Sequence, residues 1–187
     1  MKRWTAKVRP ALVLLAVTSV MAVILALGNN ITAQRIEENR HFRVRAAIAA
    51  VLPDAADAKA LDTFPNETGT VRAVYAADSG YAVEVAPAGF GAEIDMMVGV
   101  DRDGRITEIN IISHAETPGL GANAAADTSA GVRFRGQFSG AETALDIAKD
   151  GGTVAVLTSA TITSRAVTDG VNDALACVQA LMEEGAA

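Results

Sequence analysis

The chain has 187 residues, half of them hydrophobic and only 4% aromatic, with a formal net charge of −6; this suits one compact domain plus extras, with a core of small aliphatic side chains. A single cysteine, Cys177, excludes an intramolecular disulfide framework and any multi-cysteine metal or iron–sulfur site, and on a helix it reads as buried filler. His41 and His114 lie far apart with no carboxylate at metal-ligand spacing, which argues against a protein-only metal site.

Lys2, Arg3, Lys7 and Arg9 precede any acidic residue, and the 18 residues Ala11 to Gly28, "ALVLLAVTSVMAVILALG", carry no charge. That length is near the lower limit for a membrane-spanning helix. Four cations on its N-terminal flank predict a cytoplasmic N-terminus, with everything after Gly28 outside the cytoplasm. Without those cations, 12 basic residues face 22 acidic ones, a formal charge of −10. A nucleic-acid binder that tracks phosphates needs the opposite balance, so that class is excluded. A cleaved signal peptide is the alternative, because Ala26 and Gly28 are small residues before a possible cut. The length of the apolar run, and the helical character of "NNITAQRIEENRHF" after it, favour an uncleaved single-pass anchor.

Val44, Ile48, Val51 and Leu52 fall on one helical face, and Pro53 is expected to stop that helix. Arginines between Arg35 and Arg45 mix with Glu37 and Glu38, as on a solvated face. Asp54 to Gly69 reads as a connection rich in turn formers. The period then changes to two. "VRAVYAADSGYAVEVA" predicts two strands around Asp78-Ser79-Gly80, and "EIDMMVGVDRDGRITEINII" two more around Asp101-Arg102-Asp103-Gly104. A calcium loop starting at Asp101 needs Gly at 106 and Glu at 112; these are Ile106 and Ile112, so a hairpin turn is the better reading. "SGAETALDIAKDGG" predicts a short helix stopped by Gly151, and Thr153–Leu157 a last buried strand. Val167, Val171, Ala174, Leu175, Val178, Leu181 and Met182 form an apolar helical stripe that packs on the sheet. The class predicted is α+β, with an antiparallel sheet, flanking helices and one N-terminal anchor.

Two segments stand out. "TSATITSRAV", Thr158 to Val167, sets five hydroxyls (Thr158, Ser159, Thr161, Thr163, Ser164) at a strand-to-helix junction. With Thr163 or Ser164 as N-cap, the first-turn N–H groups and Arg165 suit a phosphate; ordinary capping is the other reading. "SHAETPGLGA", Ser113 to Ala122, is a stiff, slim loop after a strand, able to lie against a flat ring or to be a plain Pro-Gly turn.

Together, "DRDGRITEINIISHAETPGLGA" and "DGGTVAVLTSATITSRAV" resemble the FMN-binding domain of the G subunit of Rnf ion-translocating electron-transport complexes, which is homologous to the C subunit of the sodium-pumping NADH:quinone reductase. The resemblance covers roughly residues 71–182. It implies a basic flank and anchor over 1–28, a membrane-proximal helix and connection over 29–69, and an FMN-binding domain over 70–187. It implies FMN joined by a phosphoester to Thr161, a flavin lined by Glu116, Thr117, Pro118, Gly119, Leu120 and Gly121, and Thr163 and Ser164 near the phosphate. His114 would orient that loop or serve as a structural strand-end residue. The family's attachment motif reads Asp-x-x-[Ser/Thr]-Gly-Ala-Thr; aligned so that its last threonine is Thr161, Thr158 and Ala160 fill their places in it. Ser159 stands where the motif has glycine, a position suited to a special backbone torsion, and Ala155 where it has aspartate.

The function implied is electron relay between membrane subunits, in a complex coupling ferredoxin–NAD electron transfer to ion translocation. A flavin transferase would be needed for maturation. No catalytic side chain, metal, pyridine nucleotide or ferredoxin site is expected on this chain, since the flavin carries the electrons. The alternatives are the quinone-reductase C subunit, a non-redox assembly subunit that has lost its flavin, and a free-standing flavoprotein serving extracellular acceptors.

Overall fold

A computed structural model describes residues 2–52, 55 and 57–185. The chain divides into two compact units, Met1–Phe42 and Arg43–Ala187. Helix α1 spans Lys2–Val51 without a break. Its segment Pro10–Asn29 is 20 residues long, apolar enough to cross a membrane, and unburied. Leu12, Leu14, Leu25 and their apolar neighbours all face outward. Pro53, the expected stop, and Asp54 lie outside the described residues.

The second unit is built on a five-stranded antiparallel meander, in order β1 (Lys59–Ala60), β2 (Val71–Ala77), β3 (Gly80–Val85), β4 (Asp95–Asp101) and β5 (Ile106–Ser113). β1 is a two-residue addition within the stretch read as a plain connection, with Lys59 opposite Ala76. The other four strands fall where the period-two pattern puts them. Between β4 and β5, Asp101 closes the turn as its carboxylate accepts the N–H groups of Asp103 and Arg105, both at 2.9 Å. Gly104 takes φ +79° there, so the DxDG tetrapeptide is a hairpin turn.

Both sheet faces are covered, which is why β3 and β4 are buried almost throughout. Val83, Met96 and Val98 face α3 (Thr161–Gly185), whose Val167, Val171, Ala174, Leu175 and Val178 pack beside Phe134 and Phe138. Each of the valine, leucine, methionine and phenylalanine side chains contributes about 1.5–3 kcal/mol when fully buried. Ala82 and Met97, on the opposite face, meet Val44, Ala47, Ile48 and Val51 from the last turns of α1, and Leu52 just after it. The Thr107 hydroxyl donates to the Val51 carbonyl at 2.6 Å. Gly99 makes this approach possible, since a Cβ there would lie 2.6 Å from that same carbonyl oxygen.

Two sequence expectations fail. Residues 153–157 form no strand; Val154 makes one parallel bridge to Ile147. The Gln137 side-chain amide takes both backbone groups of Ala155, donating to its carbonyl and accepting its N–H, at 3.1 and 2.8 Å. The Leu157 N–H donates to Ser164 Oγ at 2.9 Å. With these groups engaged, no ladder extends. The helix expected over Ser139–Gly152 shrinks to a 3-10 turn, Ala148–Asp150, ended by Gly151 at φ +94°. Its upstream backbone is held elsewhere: Gly140 and Ala141 exchange hydrogen bonds with Ile106, and the Asn172 amide brackets Leu145. Helix α2 (Ser129–Arg135), capped by Thr128, follows a second 3-10 turn at Gly121–Ala124.

Candidate functional site

Beyond β5 the chain enters the Glu116–Gly121 loop, and its anchor is a buried carboxylate. Glu116 Oε1 accepts the N–H groups of Phe90 and Gly91 at 2.8 and 3.0 Å. Its Oε2 accepts the Thr163 hydroxyl at 2.5 Å, so one side chain ties the 89–91 loop and the start of α3 to this loop. His114 Nδ1 accepts the Glu116 N–H at 3.2 Å. Burial by itself would raise the Glu116 pKa. The hydrogen bonds from Thr163, Gly91 and Phe90, with His114 nearby, overcome that and hold it below the ordinary value of 4.5. Glycine makes room around the carboxylate: a Cβ on Gly121 would stand 2.5 Å from Oε2, and one on Gly89 would collide with Oε1.

The hydroxyl run sorts itself by burial. α3 begins at Thr161, not after Thr163 or Ser164, so neither of these is the N-cap; both lie buried in its first turn. Thr163 is taken by Glu116, while the Ser164 hydroxyl donates to the Ala160 carbonyl and accepts the Leu157 N–H, each at 2.9 Å. Thr158 and Ser159 are exposed and Thr161 is half-buried. Ser159 has φ +59°, alone among the non-glycine residues described, so the backbone is left-handed at the place of the motif glycine. Ala155, at the motif aspartate, is exposed, so the missing carboxylate leaves no buried group unpaired. Arg165 does not turn toward Thr161; it pairs with both carboxylate oxygens of Asp150 at 2.8–3.0 Å. Instead Lys149, on the 3-10 turn, donates to Thr161 Oγ1 at 2.6 Å.

The two motif segments meet at one open cavity of about 320 Å³, lined by Phe90, Glu116, Thr117, Leu120, Gly121, Ser159, Ala160, Thr161, Ile162 and Thr163. That volume is in the range of small-molecule clefts. Pro118, Gly119, Thr158 and Ser164 are not in its wall. Pro118 and Gly119 form a turn, with the Leu120 N–H donating to the Thr117 carbonyl at 3.1 Å. Thr158 lines a separate hollow with Gln137 and Phe134. The rim is apolar and exposed: Phe90 66%, Ile162 50% and Leu120 40%. Three large apolar side chains left to water around one cavity suit a flat, largely apolar ring. Phe90 and Ile162 in the cavity wall, and Lys149 against Thr161, are residues that sequence reasoning did not name. An aromatic between two glycines, Gly89-Phe90-Gly91, was the available signal for Phe90.

This geometry defines a class. A family model described as FMN-binding domain matches residues 89–176, which take in both motif segments, the cavity and most of α3. The G subunit of a Na(+)-translocating ferredoxin:NAD(+) oxidoreductase complex from Acetobacterium woodii is 35% identical to this chain, over 95% of this chain and 94% of its own. The G subunits of ion-translocating oxidoreductase complexes from Stutzerimonas stutzeri and Methanosarcina acetivorans are 34% and 30% identical, covering 88% and 89% of this chain and 78% and 92% of theirs. The chain belongs to this family, the G subunits of ion-translocating, Rnf-type oxidoreductase complexes.

Proposed function

We propose that this chain holds FMN in the cleft between the Glu116–Gly121 loop and the start of α3, tethered through a phosphoester at Thr161, and relays electrons inside an Rnf-type complex. One observation carries the attachment reading. Of the five hydroxyls, only Thr161 both stands in the cavity wall and bears a cation on its oxygen, while Thr163 and Ser164 are buried and engaged. Bound FMN supplies the electron-transfer chemistry, and the protein supplies position and environment. Phe90, Leu120 and Ile162 offer apolar surface to the ring. Glu116 stays ionised and keeps three chain segments in register around it. A covalent link keeps the cofactor at high local concentration beside its site and prevents its loss outside the cytoplasm.

In this reading α1 is an uncleaved anchor in the cytoplasmic membrane. The leading cations keep the N-terminus inside and place the flavin domain on the outer side. Its partners are the other membrane subunits of the complex, and a flavin transferase matures it. To test attachment, the full chain is coexpressed with a flavin transferase, denatured, and weighed intact. A mass increment of FMN minus water is expected in the wild type, in Thr158→Ala and in Thr163→Ala, and none in Thr161→Ala. Unmodified wild-type protein beside an active transferase would refute covalent attachment.

A further inference from the structure

We propose that Lys149 is the phosphate-holding residue of the tether: its ammonium orients Thr161 Oγ1 for attachment and then bears the charge of the phosphodiester formed there. The inference rests on Thr161 being the attachment residue. Lys149 lies outside both motif segments, on the 3-10 turn Ala148–Asp150, and its Nζ donates to Thr161 Oγ1 at 2.6 Å. The turn is fixed on both sides. Ala148 N–H donates to the Val154 carbonyl at 2.8 Å, and Gly152 sits so close to the Asp146 carbonyl oxygen that a Cβ would collide with it. The pairing of Asp150 with Arg165 neutralises the turn's own carboxylate and removes the competing cation. Among the described residues, Lys149 has no carboxylate within ion-pair distance, so its charge is uncompensated at the acceptor oxygen.

Attachment needs such a charge. The Thr161 Oγ1–H bond breaks and an Oγ1–P bond forms. The bond from phosphorus to the leaving half of the donor breaks, and the proton passes to a base of the transferase or to water. The donor must be an activated phosphate, of the flavin-dinucleotide (anhydride) class, because FMN alone would have to expel hydroxide. Both the alkoxide developing on Oγ1 and the incoming phosphate are negative, and the part of the chain beyond the leading cations carries 22 acidic residues against 12 basic ones. A fixed ammonium at Oγ1 offsets that repulsion where it is greatest.

The test measures the initial rate of mass gain in the full chain with limiting transferase and flavin dinucleotide. Lys149→Met is expected to slow attachment about tenfold or more, the scale of one hydrogen bond to a charged group, while Lys149→Arg keeps most of the rate. Lys149 is exposed, and matching melting curves for the two variants confirm that the fold is equal in both. Attachment to Lys149→Met at the wild-type rate overturns the proposal. So does Lys149→Arg as slow as Lys149→Met, since positive charge would then not be the operative property. Thr161→Ala is run in parallel: flavin on that variant overturns the underlying attachment reading, whereas its absence combined with full-rate Lys149→Met overturns the Lys149 role alone.

Discussion

At Ser159 a side chain occupies a backbone conformation that favours glycine, φ +59°, on the wall of the cavity. A left-handed residue with a Cβ costs about 1–2 kcal/mol, and strain of this kind concentrates at functional sites. Replacing it with glycine removes that cost but gives up about 0.4–1 kcal/mol by loosening the unfolded chain. Ser159→Gly should therefore be more stable than wild type, by up to about 1.5 kcal/mol. Ser159→Val should be less stable, since a β-branched residue in this region is a genuine outlier. Urea denaturation of both variants checks the pair. A Ser159→Gly variant less stable than wild type would show that the torsion is not what disfavours serine here. The motif marks position 159 as one suited to a special torsion; that the chain keeps the torsion while changing the residue is visible only in the backbone itself.

At the scale of elements, the site is an agreement among three segments enforced by Glu116. Its lowered pKa sets the direction of the pH effect: the folded-state value lies below the unfolded one, so its stabilisation is present above about pH 4.5 and is lost as pH falls through the lower folded value. Glu116→Gln presents an amide N–H₂ to donors that need an acceptor, and should cost about 1–3 kcal/mol at neutral pH. The gap between wild type and variant should then narrow below pH 4.5. Thermal unfolding across a pH series measures it, and a gap independent of pH would mean that the ionised carboxylate is not what joins the segments. The elements that were legible in the sequence are those whose burial repeats along the chain. β2 and β5 carry spaced buried residues, β3 and β4 are short apolar runs bounded by turn residues, and α3 carries a stripe from Val167 to Val178. Thr153–Leu157 reads as a strand because it is a short apolar run, but only Val154 and Leu157 are buried, and their spacing of three follows an irregular path held by Gln137 and Ser164. Phe90 carried only the faint signal of its flanking glycines, and Lys149 carried none, because its contact with Thr161 exists only in the folded chain.

For the whole molecule, Thr161 is a surface feature of a fold that does not depend on it. Its side chain contacts the exposed Lys149, whereas the core that joins α3 to the sheet is made by Val167, Val171 and Val178 further along the helix. Removing the Thr161 hydroxyl should therefore leave folding and the surfaces used for assembly unchanged, with an effect on stability within about 0.5 kcal/mol, as for surface substitutions generally. If the flavin on this chain is part of the electron path, Thr161→Ala should separate assembly from turnover. Complexes purified through another subunit should contain the variant at wild-type stoichiometry, lack its covalent flavin by in-gel fluorescence, and fail to couple electron transfer to ion movement in vesicles. Thr161→Ser, which keeps a hydroxyl within reach of Lys149, should retain flavin and part of the turnover. Turnover surviving in the flavin-free complex would remove this chain from the electron path and leave it an assembly role, because the structural integrity of the variant would already have been shown by its incorporation.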